Sequence, residues 1–204
     1  MIDEGYTKYR VDWRQGPPPA AAAIAALNAC RNRLFDAGLV GHDAVHDVGY
    51  GNLSVRAADG TFVITGTQTG HIARTDETHY ATVTAYDIDA NHVCCVGPVQ
   101  ASSEALTHAA IYELDAAIRA IAHVHSEALW QRLLNRIPTT SADVPYGTPG
   151  MALEFQRLYR ETDLPDAGVA AMAGHRDGIV AFGSDIRAAG GRLLALLEEV
   201  GGPQ

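Results

Sequence analysis

The chain has 204 residues, 47% hydrophobic and 19% charged, which suits one globular domain with a sizeable core. Its formal net charge of -9, without clustered Lys or Arg, argues against general nucleic-acid affinity, and no apolar run reaches membrane-spanning length. Lys8 is the only lysine and lies in a polar segment between Thr7 and Tyr9, so imine chemistry and pyridoxal phosphate attachment are disfavoured.

The three cysteines, Cys30 and the adjacent Cys94 and Cys95, lack disulfide-framework spacing and read as reduced thiols. The opening Met1-Ile2-Asp3-Glu4-Gly5 has no basic-then-apolar leader pattern, which predicts a cytoplasmic, soluble protein. Residues 1–19, ending in Gly16-Pro17-Pro18-Pro19, read as an irregular lead-in, because consecutive prolines favour extended backbone. Residues 20–204 read as a single domain without an internal repeat.

A helix is expected from Ala20 to about Ala37, with Ile24, Leu27 and Leu34 on one side and Gly38 as its stop. Two strands follow, Gly51 to Arg56 and Thr61 to Thr65, joined by the turn signal Asp59-Gly60. Further strands are expected at Thr82 to Ile88 and His92 to Val96. A helix then begins around Ser102-Ser103 and turns Leu106, Ala110 and Leu114 inward.

The apolar run Ile121-Ala122-His123-Val124-His125 reads as a strand. Side chains alternate across a strand, so both imidazoles face the same way, as metal ligands would. The competing reading is two half-buried polar residues at a strand end. Helices near Ala128 to Asn135 and Met151 to Arg160 come next, then strands at Val169 to Ala173 and Ile179 to Phe182. His175 falls between those strands. A last helix, capped by Ser184, carries Ile186, Ala189, Leu193, Leu197 and Val200 at helical spacing.

Glu104 could be an ordinary first-turn acid, and Ser102-Ser103 a simple cap or an anion site at a helix N-terminus. Gly51-Asn52 and the Thr67-Gln68-Thr69-Gly70 loop could cradle an anion or only make turns. His108, one turn after Glu104, reads as a packing residue. His42, His46, His71, His79 and His92 read as solvent or loop residues. Cys94 and Cys95, adjacent in a strand, point to opposite faces and cannot easily join one site.

Gly51-Asn52-Leu53-Ser54, the Ile64-Thr65 loop ending in Thr69-Gly70, Ser102-Ser103-Glu104, His123-Val124-His125 and the His175 segment together resemble the class II aldolase/adducin family, which includes L-fuculose-1-phosphate aldolases. The resemblance runs from about residue 20 to 200. It implies an α/β protein of three α/β/α layers around a mainly antiparallel sheet, assembled as a homotetramer with interfacial active sites. It further implies Glu104, His123, His125 and His175 as ligands of Zn²⁺, with Mn²⁺ or Co²⁺ as alternatives. Glu104 would double as the catalytic base, and Gly51, Asn52, Thr69, Gly70, Ser102 and Ser103 would hold a substrate phosphate.

Three departures stand out. The family usually has His-Gly where this chain has His175-Arg176-Asp177-Gly178. The stretch from Ile137-Pro138 to Pro145-Tyr146 is short where some aldolases carry a tyrosine that reaches a neighbouring subunit, which leaves Asp143 and Tyr146 as acid candidates. Gly201-Gly202-Pro203-Gln204 follows the last helix without a further tyrosine. The resemblance therefore implies a metal-dependent aldolase acting on a small phosphorylated sugar or ketose through a metal-stabilised enediolate. Epimerase, dehydratase and decarboxylase chemistry use the same apparatus, and a non-catalytic adducin-like assembly module and a metal sensor or storage protein are the rivals of other classes.

Overall fold

The computed structural model describes residues 7–45 and 47–201. His46 and the residues after Gly201 lie outside the described residues, and with them part of the reading of the loop histidines and of the chain end.

The segment read as irregular contains a strand, β1 (Arg10–Gln15), which pairs in parallel with a strand more than 80 residues later. Helix α1 (Ala21–Asp36) buries Ile24, Leu27 and Leu34 as its spacing predicts, and also Arg31. A short hairpin follows that the sequence did not signal, β2 (Gly41–Asp43) and β3 (Val48–Tyr50). Strands β4 (Asn52–Arg56) and β5 (Phe62–Thr65) flank the expected turn, where Asp59 Oδ1 accepts from the Thr61 amide at 3.0 Å. A 3₁₀ turn (Glu77–His79) leads into β6 (Tyr80–Asp87), then β7 (His92–Gly97) and α2 (Ala105–Leu114).

Strand β8 (Ala120–His125) carries the paired histidines, and α3 (Glu127–Leu133), α4 (Pro149–Glu161) and the short α5 (Leu164–Ala167) connect it to β9 (Val169–Ala171) and β10 (Gly178–Gly183). Helix α6 (Ile186–Gly201) closes the described chain. Its first turn is capped by Asp185 in place of the expected Ser184: Asp185 Oδ1 accepts from the amides of Arg187 at 2.8 Å and Ala188 at 2.9 Å.

Eight of the strands form one sheet in the order β1-β7-β6-β5-β4-β8-β10-β9, antiparallel except for the β1–β7 pair, and β2 and β3 pair only with each other. Alternating side chains feed two separate cores. On one face Phe62, Ile64, Val83, Ile121 and Val180 pack with Leu106 and Ile111 of α2 and Phe155 of α4. On the other, Leu53, Val63, Ala122, Val124 and Ile179 pack with Leu27 and Leu34 of α1 and Leu193 of α6. The result is the three-layer α/β/α arrangement around a mostly antiparallel sheet. Among the described residues no helix is long and apolar enough to cross a membrane.

This alternation also places the polar residues. Val124 and Ala122 belong to the α1/α6 face, so His123 and His125 turn to the α2 face, as do Asn52 and Ser54 of the neighbouring strand. Asn52 lies directly opposite His123 in the β4–β8 register, and Gly178 of β10 lies opposite His125.

Candidate metal centre

Four side chains from three parts of the fold converge at the end of β8. His123 and His125 come from the strand, His175 from the turn between β9 and β10, and Glu104 from the residue before α2. One ligand atom from each lies within 4.8 Å of every other. Glu104 Oε1 is 2.8 Å from His123 Nε2, His123 Nε2 is 3.0 Å from His125 Nε2, and Glu104 Oε2 is 3.7 Å from His175 Nδ1.

The helix starts later than the sequence suggests because of this side chain. Glu104 occupies the N-cap position of α2 without making a side-chain cap bond, since its carboxylate turns to the histidines. Ser102 and Ser103 therefore form the turn before the helix, held by the Ser102 amide to the Thr65 carbonyl at 3.1 Å and the Ala105 amide to the Ser102 carbonyl at 3.0 Å.

The donor set fits a divalent cation. His123 Nδ1 lies 3.2 Å from the Ile179 carbonyl, which can only accept, so this nitrogen carries a proton and Nε2 is the atom turned to the cluster, where a metal-binding imidazole offers its lone pair. A lone pair facing a carboxylate oxygen at 2.8 Å and a second imidazole nitrogen at 3.0 Å is repulsive unless positive charge sits between them. Glu104 Oε2 is buried without a hydrogen-bond partner. Burial alone would push the Glu104 carboxyl up, but positive charge on His123 and His175 outweighs it and holds the carboxyl well below the usual carboxylate range, the same charge that a cation would supply between neutral rings. His125 is driven well below the usual imidazole value by burial and by His175 and His123, which keeps its ring neutral, the form that binds a metal. Three imidazoles and a carboxylate are the ligand types of Zn²⁺, and Mn²⁺ and Co²⁺ accept the same set.

A narrow cleft borders Glu104 on one side. It is lined by Gly51, Asn52, Thr69, Gly70, Ser102 and Ser103, so every residue matched to phosphate binding lies around one space. Backbone contacts explain its glycines: Gly51 holds φ at 79°, and a Cβ on Gly70 would sit 2.2 Å from the Gly41 carbonyl oxygen. Thr69 donates its hydroxyl to the Gly66 carbonyl at 2.8 Å. Asn52 Nδ2 is 3.3 Å from Glu104 Oε1, a contact the sequence reading did not include.

On the other side His125 and His175 border a cavity of about 900 Å³. The two acid candidates part company here. Tyr146 is buried and stacks on His175, with ring centroids 4.3 Å apart, and lines the cavity. Asp143 is exposed and borders neither space, because the turn closed by the Val144 amide to the Ser141 carbonyl points it outward.

Several cavity residues were missed. His42, read as a loop residue, lines the cavity, and its Nε2 lies 3.1 Å from Asp47. Tyr50 borders both spaces, with its ring 5.6 Å from that of His125. Lys8, read as part of a polar N-terminal segment, also lines the cavity. His79 belongs to a capping box with Asp76, and His92 lies 3.0 Å from Asp12 on the exposed sheet edge. Cys94 is half-buried and Cys95 buried, on opposite faces as expected.

Beneath Glu104, Ser54 Oγ lies 2.7 Å from His108 Nδ1 and 2.7 Å from the Tyr112 hydroxyl, all buried. Burial pushes the His108 pKa down to about 3. In the unfolded chain the ring titrates near the ordinary value of about 6.5. Between these values the unfolded state binds more protons, so stability falls as pH drops below about 6.5 and the loss is complete near pH 3. At about 1.4 kcal/mol per unit, His108 alone removes on the order of 5 kcal/mol. Urea unfolding of His108→Gln across this range is expected to give a visibly flatter profile than the parent; an unchanged slope would assign the acid sensitivity elsewhere.

An α/β protein with a His₃Glu cluster between a glycine- and serine-lined cleft and a larger cavity is the class that fold and site define. The sequence matches the model of the class II aldolase and adducin N-terminal domain over residues 32–200, and the chain belongs to that family. Its fold is shared by L-fuculose-1-phosphate aldolase from Thermus thermophilus, at 22% identity, TM-score 0.61, covering 88% of this chain and 97% of that one. A sugar-phosphate aldolase from Thermotoga maritima aligns at 20% identity, TM-score 0.67, covering 88% and 92%. YgbL from Escherichia coli, provisionally described as an aldolase/epimerase/decarboxylase, aligns at 20% identity, TM-score 0.64, covering 88% and 87%. No curated protein sequence matches the chain.

Proposed function

We propose that the protein is a metal-dependent carbon–carbon lyase that cleaves or forms the bond beside the carbonyl of a small phosphorylated sugar or ketose. The observation that carries this reading is the placement of the His₃Glu cluster directly beside the cleft formed by Ser102, Ser103, Thr69 and Gly70. A divalent cation, Zn²⁺ first and Mn²⁺ or Co²⁺ next, would polarise the carbonyl and offset the negative charge that develops on its oxygens.

His123, His125 and His175 would hold the ion, with His123 oriented by its Nδ1–H bond to the Ile179 carbonyl. Gly51, Asn52, Thr69, Gly70, Ser102 and Ser103 would hold the phosphate through amides and hydroxyls, which need no basic surface on a chain of net charge -9. Glu104 would ligate the ion or move a proton at the carbon next to the carbonyl, since its second oxygen accepts no hydrogen bond within the described residues. Tyr146 is the acid candidate that borders the cavity. A homotetramer that adds a residue from a neighbouring copy, in the cytoplasm, completes the proposal.

The test is direct. Purified protein is expected to retain about one divalent ion per chain by elemental analysis, held by three histidines and exchangeable at the carboxylate position. Chelation should abolish turnover of phosphorylated ketoses, and readdition should restore it. Product analysis then separates an aldehyde fragment from an epimer, loss of water or release of CO₂. Metal-free protein with full activity would sink the reading.

A further inference from the structure

Strand β1 joins the sheet through β7 alone, in parallel, and five of its six residues are exposed. A parallel ladder is slightly weaker than an antiparallel one, so a second hold on this edge strand would matter. The register sets Arg10 opposite His92 and Asp12 opposite Cys94, and alternation turns His92 and Cys94 to the face that carries Asp12. Val93 and Cys95 fill the core on the α2 side, so this face is the opposite one from that of His123 and His125.

His92 Nε2 lies 3.0 Å from Asp12 Oδ2 and 4.0 Å from Cys94 Sγ, and the three ligand atoms all fall within 4.8 Å of one another. The His92–Asp12 contact taken alone is an ordinary exposed ion pair. The thiol changes its chemistry. A tetrahedral Zn²⁺ at its usual bond lengths separates a nitrogen ligand from an oxygen by about 3.4 Å and from a sulfur by about 3.6 Å, so small side-chain rotations convert the observed separations into the required ones. One sulfur, one nitrogen and one oxygen suit Zn²⁺ or Co²⁺, whereas Mg²⁺ and Ca²⁺ take oxygen. Thiolate and carboxylate balance the two charges of the ion, so Arg10 and Arg14, on either side of Asp12 along the strand, meet a neutral centre. Asp87, opposite His92 on β6, commits Oδ1 to the Ala90 amide at 2.8 Å, which leaves the fourth position to water.

We propose that Asp12, His92 and Cys94 form a second divalent-metal site, taking Zn²⁺ or Co²⁺, that clamps β1 to β7. The site stands apart from the reaction proposed for the His₃Glu cluster. Its ligands bridge positions 80 residues apart in the chain, so ligation closes a long loop and opposes release of the strand. What the clamp holds reaches the first centre: Tyr9, the residue before β1, is buried and donates its hydroxyl to the Ser102 carbonyl at 2.7 Å. With three ligands at the surface the site exchanges its ion readily, and it fills on addition of metal beyond the ion that survives purification.

Cobalt titration of the reduced full chain under nitrogen tests it. Thiolate ligation of Co²⁺ gives a near-ultraviolet charge-transfer band that three imidazoles and a carboxylate cannot produce, so the band reports this site alone. It is expected to saturate once one Co²⁺ per chain has bound beyond any ion held by the His₃Glu cluster, and to vanish in Cys94→Ser. His92→Gln and Asp12→Asn, which keep the thiol, should each need at least about tenfold more cobalt. Filling the site should slow hydrogen exchange at the β1 amides of the wild type and leave those of Cys94→Ser unchanged. Absence of the band, or its appearance only at about millimolar cobalt, would make the contact adventitious and overturn the proposal. A band that survives Cys94→Ser belongs to Cys30 or Cys95, and a midpoint unmoved in both His92→Gln and Asp12→Asn belongs to a lone thiol; either overturns it. Equal exchange at β1 with and without the ion would deny the clamp and overturn it as well.

Discussion

Glu104→Gln is expected to lower kcat/KM of the proposed reaction by about 10³-fold or more, even with metal in excess. The substitution keeps the shape of a side chain that is 3% exposed and replaces its charge with an amide. Two functions go at once. The carboxylate oxygen 2.8 Å from His123 Nε2 no longer supplies negative charge to a shared cation, and the residue can no longer accept a proton. Loss of the ligand alone would weaken metal affinity, and excess metal would then rescue turnover. Loss of the proton acceptor is not rescued that way. Glu104→Asp, which retains the charge but withdraws it by roughly 1.5 Å, separates the two further: it should bind metal better than Gln yet remain slow. Full turnover of Glu104→Gln at saturating metal would remove this residue from the chemistry.

How much of this site could be read in advance depends on how local each signal is. The two histidines of β8 were legible because strand alternation is a two-residue rule, and the β4–β5 hairpin because Asp59-Gly60 announces its own turn. The start of α2 was misplaced by a competing demand on one side chain, since Glu104 faces His123 and makes no cap bond. Strand β1 was illegible because its exposed residues carry no apolar stripe and its partner in the sheet is β7, joined by long-range pairing. Lys8, just before β1, inherits that blindness, because only the fold brings it to the cavity. The β2–β3 hairpin, with strands of three residues, is too short to show a period. Arg31 escaped for a different reason: a charge within an alanine-rich amphipathic helix reads as solvent-facing, and nothing local says that a loop some 40 residues on will close over it.

That buried arginine carries the second large expectation. Arg31 is 0% exposed on α1, and its guanidinium donates to the carbonyls of Thr69 at 3.0 Å, Gly70 at 3.2 Å and Ala73 at 3.2 Å. Its planar fork reaches three acceptors that no apolar side chain could satisfy, and Phe35 covers it with its ring 4.9 Å away. Thr69 and Gly70 are themselves buried and form a wall of the cleft, so Arg31 fixes the cleft from behind without touching anything bound in it. Arg31→Met fills similar volume but strands the two carbonyls of the buried residues, and is expected to cost about 3 to 5 kcal/mol of stability by urea unfolding. Under conditions where the variant is still folded, phosphate-bearing ligands should bind more weakly while metal content is unchanged, because the loop moves and the ligand cluster does not. Arg31→Lys should fall between, its compact ammonium lacking the fork that spans three carbonyls. A loss below about 1 kcal/mol in Arg31→Met, the range of an ordinary surface substitution, would mean that water or a shifted loop satisfies those carbonyls and that the cleft wall holds itself.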